Sequence, residues 1–506
     1  MATDSAQAQK TAKVRSFFIK GVSIAVLSGM LYGIYSSCLL AATGSGEWAL
    51  WYGDWYLAGS EATIGGVVLS FAMACLILGA LGSGINDVIS AVWMVAKAGV
   101  KGKFRDFLRC FKSKPGLVMI VCAIIGGPIA STAYLIALTM SGPIATPVSA
   151  LCPAIGALIG RVLFKQQLNA RMVAGILICV IATFMIGSSA FTGIEVNVQF
   201  LLGLAIALIA ALGWGIEGAV AGFGTSVMDY EIGISIRQTT SGIFTLFVLT
   251  PALFLAAGNL GLYPTMLFEA FEGPLVLPDT AILASPLIFF LISGLAAGLS
   301  FGFWYKGNSM CGAALGMACN GAFSFWVPFF SFLICGLYLG WGYVDGSLDA
   351  STGYVLTPIQ WAAAIVMVVG IFLIAVNPLK LFKEAEPRAE EGTPAEKGTA
   401  LDAGEAGASL LVDKTPAHKL LPFNYAILRL FEEGGQADTQ QVMEALRPRY
   451  ASNRQFQEKT VSEALMTAEQ NGLLEETGYE ATAPGQLRVF YQATSEGREM
   501  IAKYIG

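Results

Sequence analysis

ALGWGIEGAVAG (211–222) holds a single carboxyl, Glu217, in the middle of an apolar run, and it repeats a pattern met earlier in SGMLYGIYSSCLLA (28–41). Aligning Gly33-Ile34-Tyr35 with Gly215-Ile216-Glu217 superposes an aromatic residue, two glycines and a run of small residues. A second pair, AYLIALTMSGPIATPVSALCP (133–153) and FWYKGNSMCGAALGMACNGAF (303–323), falls in the same order. The chain reads as two related halves.

Composition says where those halves reside. Hydrophobic residues make up 55% of the chain and charged residues 13%, about half the charge of an ordinary soluble protein. So little charge cannot cover a surface in water. The apolar runs have the length needed to cross about 30 Å of hydrocarbon. Ten spans are expected, near 17–42, 62–84, 116–140, 143–164, 170–189, 198–222, 234–257, 285–306, 311–339 and 358–377. The run from 17 to 42 is too long for the apolar part of a cleavable signal, so it reads as the first span.

Basic residues give the orientation. With the N-terminus inside, the inner segments carry Lys10, Lys13, Arg15, Lys20, Lys97, Lys101, Lys103, Arg105, Arg109, Lys112, Lys114, Arg161, Lys165, Arg171, Arg237, Lys306, Lys380 and Lys383, whereas the outer loops hold no Lys or Arg. Those loops carry Glu47, Asp54, Glu61, Glu195, Glu269, Glu272, Asp279, Asp345 and Asp349 instead. Five spans per half is an odd number, so the halves face opposite ways, the inverted repeat that puts a transported substrate near the bilayer midplane. The expected fold is an all-α polytopic membrane protein. It has a tail (1–16), two five-helix repeats (17–189 and 190–383), a flexible acidic linker (384–414) and a small cytoplasmic domain (415–506). Both termini are expected in the cytoplasm, and the setting that fits is a bacterial inner (plasma) membrane.

At these residues the chain resembles the drug/metabolite transporter superfamily, the EamA-like ten-helix carriers, over roughly 17–378. The likeness rests on the aromatic-glycine elements above and on GPIATPVSALCPAIGALIGRVLFKQQLNARMVAGILICVIAT (142–183). Within that segment the matching features are Gly142-Pro143, Ser149 to Pro153, Lys165 and Gly175. Gln166-Gln167 stands where the family commonly has an acidic residue, which puts the loop contact in doubt and not the fold. The pattern is nearest the sugar-porter branch (rhamnose or glucose/ribose uptake). The resemblance implies a small-molecule substrate, sugar-like in preference, moved by alternating access.

Ionisable groups inside spans are costly, and they mark pathways or relays. Glu217 reads as a proton-coupling group, as the holder of a substrate cation, or as a structural carboxyl bonded to a neighbouring helix. Tyr35, Ser36, Tyr134, Ser149, Trp304, Tyr305, Asn308, Asn320 and Trp326 are the candidate cavity lining, because amides and hydroxyls bond polar solutes and aromatic faces stack on sugar rings. Arg237 is expected to snorkel to the inner surface, and Asn86 and Asp87 to end the second span near the basic loop. Trp48, Trp51, Tyr52, Trp55 and Tyr56 read as interfacial anchors. Nine scattered cysteines without a CxxC pair read as small apolar packing residues. With no nucleophile–base set, metal cluster or phosphate loop in the sequence, an enzyme is not expected, nor any cofactor. The expected partners are substrate, protons and membrane lipid.

The region 415–506 reads as helix, helix, helix, hairpin, helix, which resembles the winged helix of PadR- and MarR-like regulators. Its third helix, Glu458 to Asn471, holds three glutamates and one lysine, and the domain is acidic. Nucleic acid is therefore disfavoured as a partner, and homodimerisation, protein docking or regulation of transport is expected. The competing function is a membrane receptor with a transporter-like core that signals through this domain.

Overall fold

The structure is a computed structural model that describes residues 2–163, 170–189, 198–276, 282–311, 313–375, 399–400, 420–483 and 486–505. The chain is predominantly helical. Among the described residues, seven helices are long and apolar enough to cross a membrane: Gln9–Thr43, Phe71–Val100, Lys114–Ser149, Val198–Gly218, Tyr230–Ala256, Pro286–Cys311 and Cys319–Tyr338. Their outward faces carry Leu117, Val121, Leu208, Leu212, Phe247 and Leu255, and the shorter apolar helix Pro358–Ala375 carries Ile365 and Val369, all exposed. An apolar belt of this kind is a liability in water and the natural surface in lipid. The chain is an integral membrane protein. Part of the proposed linker, 384–398 and 401–414, lies outside the described residues, as does the loop from Gln166 to Asn169.

Inside the bundle, Ala2–Thr43 packs along Pro286–Cys311 and along Phe323–Ser331. Val198–Val227 packs along Thr132–Ser141, Phe71–Val100 along Tyr230–Phe244, and Ala170–Ser189 along Pro358–Ala375. Membrane helices gain nothing from hiding apolar surface from lipid, so small residues that allow close approach decide such pairings. A Cβ at Gly307 would meet Ala25 Cβ at 2.7 Å, and one at Gly33 would meet the Trp326 carbonyl oxygen at 2.8 Å.

The second helix is misplaced by the sequence reading. Residues Ala62–Ile64 and Val67–Leu69 form an antiparallel hairpin, not the start of a span. Gly65 and Gly66, both with positive φ, make the two-residue turn that matches strand twist. Ser70 then caps the helix by accepting the Met73 N–H, so the helix runs Phe71–Val100. The consequence is large: Asn86 and Asp87 do not end this helix but lie mid-helix and buried. The aromatic cluster at 48–56 is packed largely against protein. Trp48 is fully buried and donates to the Ala270 carbonyl at 2.9 Å, Trp51 is buried beside it, and Tyr56 is buried against Tyr52 and Trp55.

Beyond the membrane helices, Phe423–Arg429, Thr439–Tyr450 and Glu458–Gln470 precede an antiparallel pair, Leu474–Ala483 and Gln486–Ala493, and a last helix, Ser495–Tyr504. This is the element order expected from the sequence. Asp438 and Gln441 form a reciprocal capping box at the second of these helices, satisfying two backbone donors that the first turn leaves open. Phe431, Val442, Leu446, Val461, Leu465, Leu474, Phe490 and Ile501 fill the core.

One carboxyl in this region makes its stability depend on pH. Burial, and then the neighbouring Glu476 carboxylate, push Glu469 up to about 7 against the opposing charge of Lys10. Between the ordinary glutamate value and that raised one, the folded state holds a proton that the unfolded state has lost. Stability is therefore greatest at low pH, declines as pH rises to about 7, and is flat above it. The decline should be on the order of 2 kcal/mol. Thermal melts of the full chain from pH 5 to 8 should show the domain transition falling more steeply in the wild type than in Glu469→Gln, where burial of Glu476 still raises one carboxyl. Parallel curves for the two proteins would rule this account out.

Candidate functional site

The buried charges come together. Arg237 and Glu217, both with fully buried side chains, form an ion pair at 2.9 Å from Nε to Oε1, with a second contact from Nη2 to Oε2 at 3.3 Å. Arg237 Nη1 lies 3.7 Å from Asp87, whose side chain is 3% exposed. The guanidinium sits over the Phe301 ring, 4.3 Å from its centroid, where cation–π attraction adds to the pairing. Tyr305 donates to Glu217 Oε1 at 3.1 Å. Arg237 therefore does not snorkel. Its helix begins at Tyr230, which carries residue 237 two turns inward, where only a carboxylate partner makes the charge tolerable.

Hydrogen bonds extend this core across the bundle. The Gly126 carbonyl accepts from Arg237 Nη2 at 3.2 Å and from Trp214 Nε1 at 3.0 Å. Gly126 belongs to a π-segment, Ile125–Ser131, that contains Pro128, and such wide turns are frequent at functional positions. Gln238 donates to Ser90 at 2.5 Å, and Ser241 donates to Asp87. Asn86 donates to Asp87 at 3.4 Å and accepts from Ser293 at 2.6 Å. Ser293 also donates to the Tyr35 carbonyl at 3.1 Å. Two carboxyl groups face one guanidinium, so full ionisation would leave one negative charge deep in a medium where an unpaired charge is expensive.

An aromatic group adjoins this network. Tyr32 stacks on Phe323 with centroids 4.3 Å apart, and its ring meets Tyr35, Tyr134, Trp214 and Phe301 edge-on at 5.0 to 6.0 Å. Trp304 lies 6.1 Å from Phe301 and 5.3 Å from Tyr305. The Tyr32 hydroxyl, Trp304 Nε1 and the Ser324 hydroxyl are buried without a hydrogen-bond partner among the described residues. Buried donors of this kind are normally satisfied.

The ten residues picked from the sequence divide. Glu217, Tyr305, Trp304 and Tyr35 meet at or beside the charged core. Tyr134 and Ser36 bond to each other at 2.9 Å one layer away, with Thr146 joining Tyr134 at 3.0 Å. Asn320 donates to Ser28 at 2.9 Å and Ser149 to the Thr146 carbonyl at 2.8 Å. Asn308 is buried with its Oδ1 unpartnered among the described residues. Trp326 is half-buried among Phe325, Phe329 and Phe330, and no contact joins it to Glu217. Arg237, Asp87, Asn86, Gln238, Ser241 and Gly126 are not among the candidates that the sequence offers for the cavity. The available signal was charge: an Arg and an Asp near apolar runs are expected to find each other.

No protein-family model matches the chain, and no curated protein does. A solved structure known only as a "Crystal structure of protein" is 15% identical, with 72% of this chain and 99% of that chain covered at a TM-score of 0.42.

Proposed function

We propose that the chain is a ten-span secondary carrier, two inverted halves of five helices, which moves a small polar metabolite, sugar-like in preference, by alternating access. Its coupling centre is Glu217–Arg237–Asp87. The observation that carries this reading is the second carboxyl of that cluster, set beside Tyr32 and Trp304, whose polar atoms lack hydrogen-bond partners among the described residues. A single proton shared by the two acids leaves one negative charge against the guanidinium. Arg237 already touches both, so a proton arriving on Glu217 releases the guanidinium toward Asp87, and its loss draws the guanidinium back. That is a two-position element whose balance a substrate on the adjoining aromatic face can bias.

Helix pairing supports the inverted halves. Seven long helices, the shorter apolar Val173–Ala182 and Pro358–Leu373, and the division of Lys114–Ser149 at Gly142, which has positive φ, bring the spans to ten. Numbered so, the first helix packs on the eighth and the sixth on the third; exchanging halves converts one pair into the other. The arrangement is the one implied by the resemblance to drug/metabolite carriers. The basic inner segments support cytoplasmic termini in a bacterial inner membrane, and the acidic, winged-helix-like domain at 415–506 is suited to docking or regulation.

Uptake of labelled sugars, amino acids and cationic metabolites into proteoliposomes, with and without an imposed pH gradient, tests the reading. Gradient-driven flux is expected in the wild type and should fall by about tenfold or more in Glu217→Gln, a loss of at least about 1.4 kcal/mol in the coupled step. Flux unaltered by the substitution would remove Glu217 from coupling. Saturable binding without flux would make the core a receptor.

A further inference from the structure

The cytoplasmic ends of the helices are tied by charge. The Glu231 side chain, 3% exposed, takes Lys101 at 2.6 Å, Lys103 at 2.8 Å and Lys97 at 3.2 Å, and Lys103 also reaches Asp229 at 2.7 Å. These contacts join the end of Phe71–Val100 to the start of Tyr230–Phe244. Lys306, near the end of Pro286–Cys311, lies 5.0 Å from the centroid of the Tyr230 ring. An opening on this side has to part these groups.

Residues 420–505 lie across the same groups. Glu463 pairs with Lys20 at 2.5 Å and with Lys306 at 3.9 Å, bridging the first membrane helix to Pro286–Cys311. Arg454 donates to the Val100 carbonyl at 2.7 Å, and its stem covers Gly102. The buried Asp106 carboxylate accepts the Phe423 N–H at 3.1 Å and Gln455 Nε2 at 2.9 Å. Tyr425 and Ser113 are 3.1 Å apart, and Lys114 donates to the Lys503 carbonyl at 2.6 Å. Met466 packs with Phe17 and Met310 in one apolar contact. An exposed ion pair contributes little alone. Here the pairs flank a buried carboxylate and an apolar plug, and they hold three separate parts of the membrane domain.

We propose that residues 420–505 clamp the inner gate shut, by pinning segment 101–114 to the inner ends of Ala2–Thr43 and Pro286–Cys311, so that inward opening requires the domain to lift. The clamp rests on the carrier reading for its role in transport, but its mechanics do not. A fixed bridge across elements that must separate raises the free energy of the inward-open state and lowers its population. Whatever draws the domain away then admits exchange on the cytoplasmic side.

The test uses the full chain in inside-out vesicles with a membrane-impermeant maleimide, read by mass spectrometry of each labelled peptide. Cys110, fully buried beside Tyr425, reports docking. A thiol introduced by Ser235→Cys, one turn beyond Glu231, to whose carbonyl Ser235 donates at 2.7 Å, reports the gate. Glu463→Lys with Arg454→Glu alters the surface of the domain and leaves its core intact. Both thiols should react severalfold faster in that background and also in Glu463→Lys alone, where adding Lys20→Glu with Lys306→Glu should restore protection of both. Faster labelling of Cys110 with the gate thiol unchanged would overturn the clamp, as would unchanged labelling at both positions. Absence of uptake for every solute, with the thiol response intact, would reject transport and leave the clamp standing.

Discussion

Arg237→Met should be among the most damaging single substitutions in the chain. The side chain is fully buried between Glu217 and Asp87, so its removal strands two carboxylates in low dielectric. Breaking a buried pair by deleting one partner costs about 3–5 kcal/mol. Had Arg237 snorkelled, as its sequence position suggested, the change would shift stability by less than about 0.5 kcal/mol. Thermal midpoints of the detergent-solubilised protein, read by fluorescence-detected gel filtration, separate these outcomes. The triple variant Arg237→Met, Glu217→Gln, Asp87→Asn should regain most of the loss, because neutral amides keep hydrogen-bond partners in Tyr305, Ser241 and Asn86. A triple variant as unstable as the single one would mean that the arginine acts through its packing on Phe301 and not through charge.

That contrast also shows which layer of structure the sequence expresses. The long apolar helices were legible because membrane insertion is a property of local composition, summed over about 20 residues. The order of elements in 420–505 was legible for a similar reason: capping residues and apolar spacing are local signals, as the Asp438–Gln441 box illustrates. The second span was misjudged because Ala62–Leu69 is apolar enough to pass for a helix. Its Gly65-Gly66 turn and the Ser70 cap carry the opposite signal in three residues. That slip alone put Asn86 and Asp87 at a surface they do not reach. Glu217 stood out as a single charge in an apolar run, whereas its partner stands 20 positions on, near a helix start. Pairing across helices is a tertiary fact. No spacing within one helix encodes that Gly126, Arg237 and Tyr305 converge on one carboxylate.

Gly126→Ala should disturb that convergence with a single methyl group. An added Cβ would stand 1.7 Å from Glu217 Oε2 and 2.4 Å from its Cδ, far inside contact distance. Gly126 does not have a positive φ, so backbone strain plays no part; the cost is one of space. Either the π-segment moves or the Glu217 carboxylate leaves its place against Arg237. Overpacking of this kind costs about 1–3 kcal/mol, and any proton coupling should fall with it, since the carboxylate is displaced from its partner. The decisive measurement is a double-mutant cycle with Glu217→Ala, which removes the atoms the new methyl would strike. On that background Gly126→Ala should cost little, giving an interaction of about 1–3 kcal/mol in thermal or denaturant stability. Additive costs would show that the helix yields instead, and that the open turn around Pro128 serves packing and not the reception of the carboxylate. A large interaction would tie the wide turn, the glycine and the acid into one unit, in which the missing side chain at 126 is the space that Glu217 occupies.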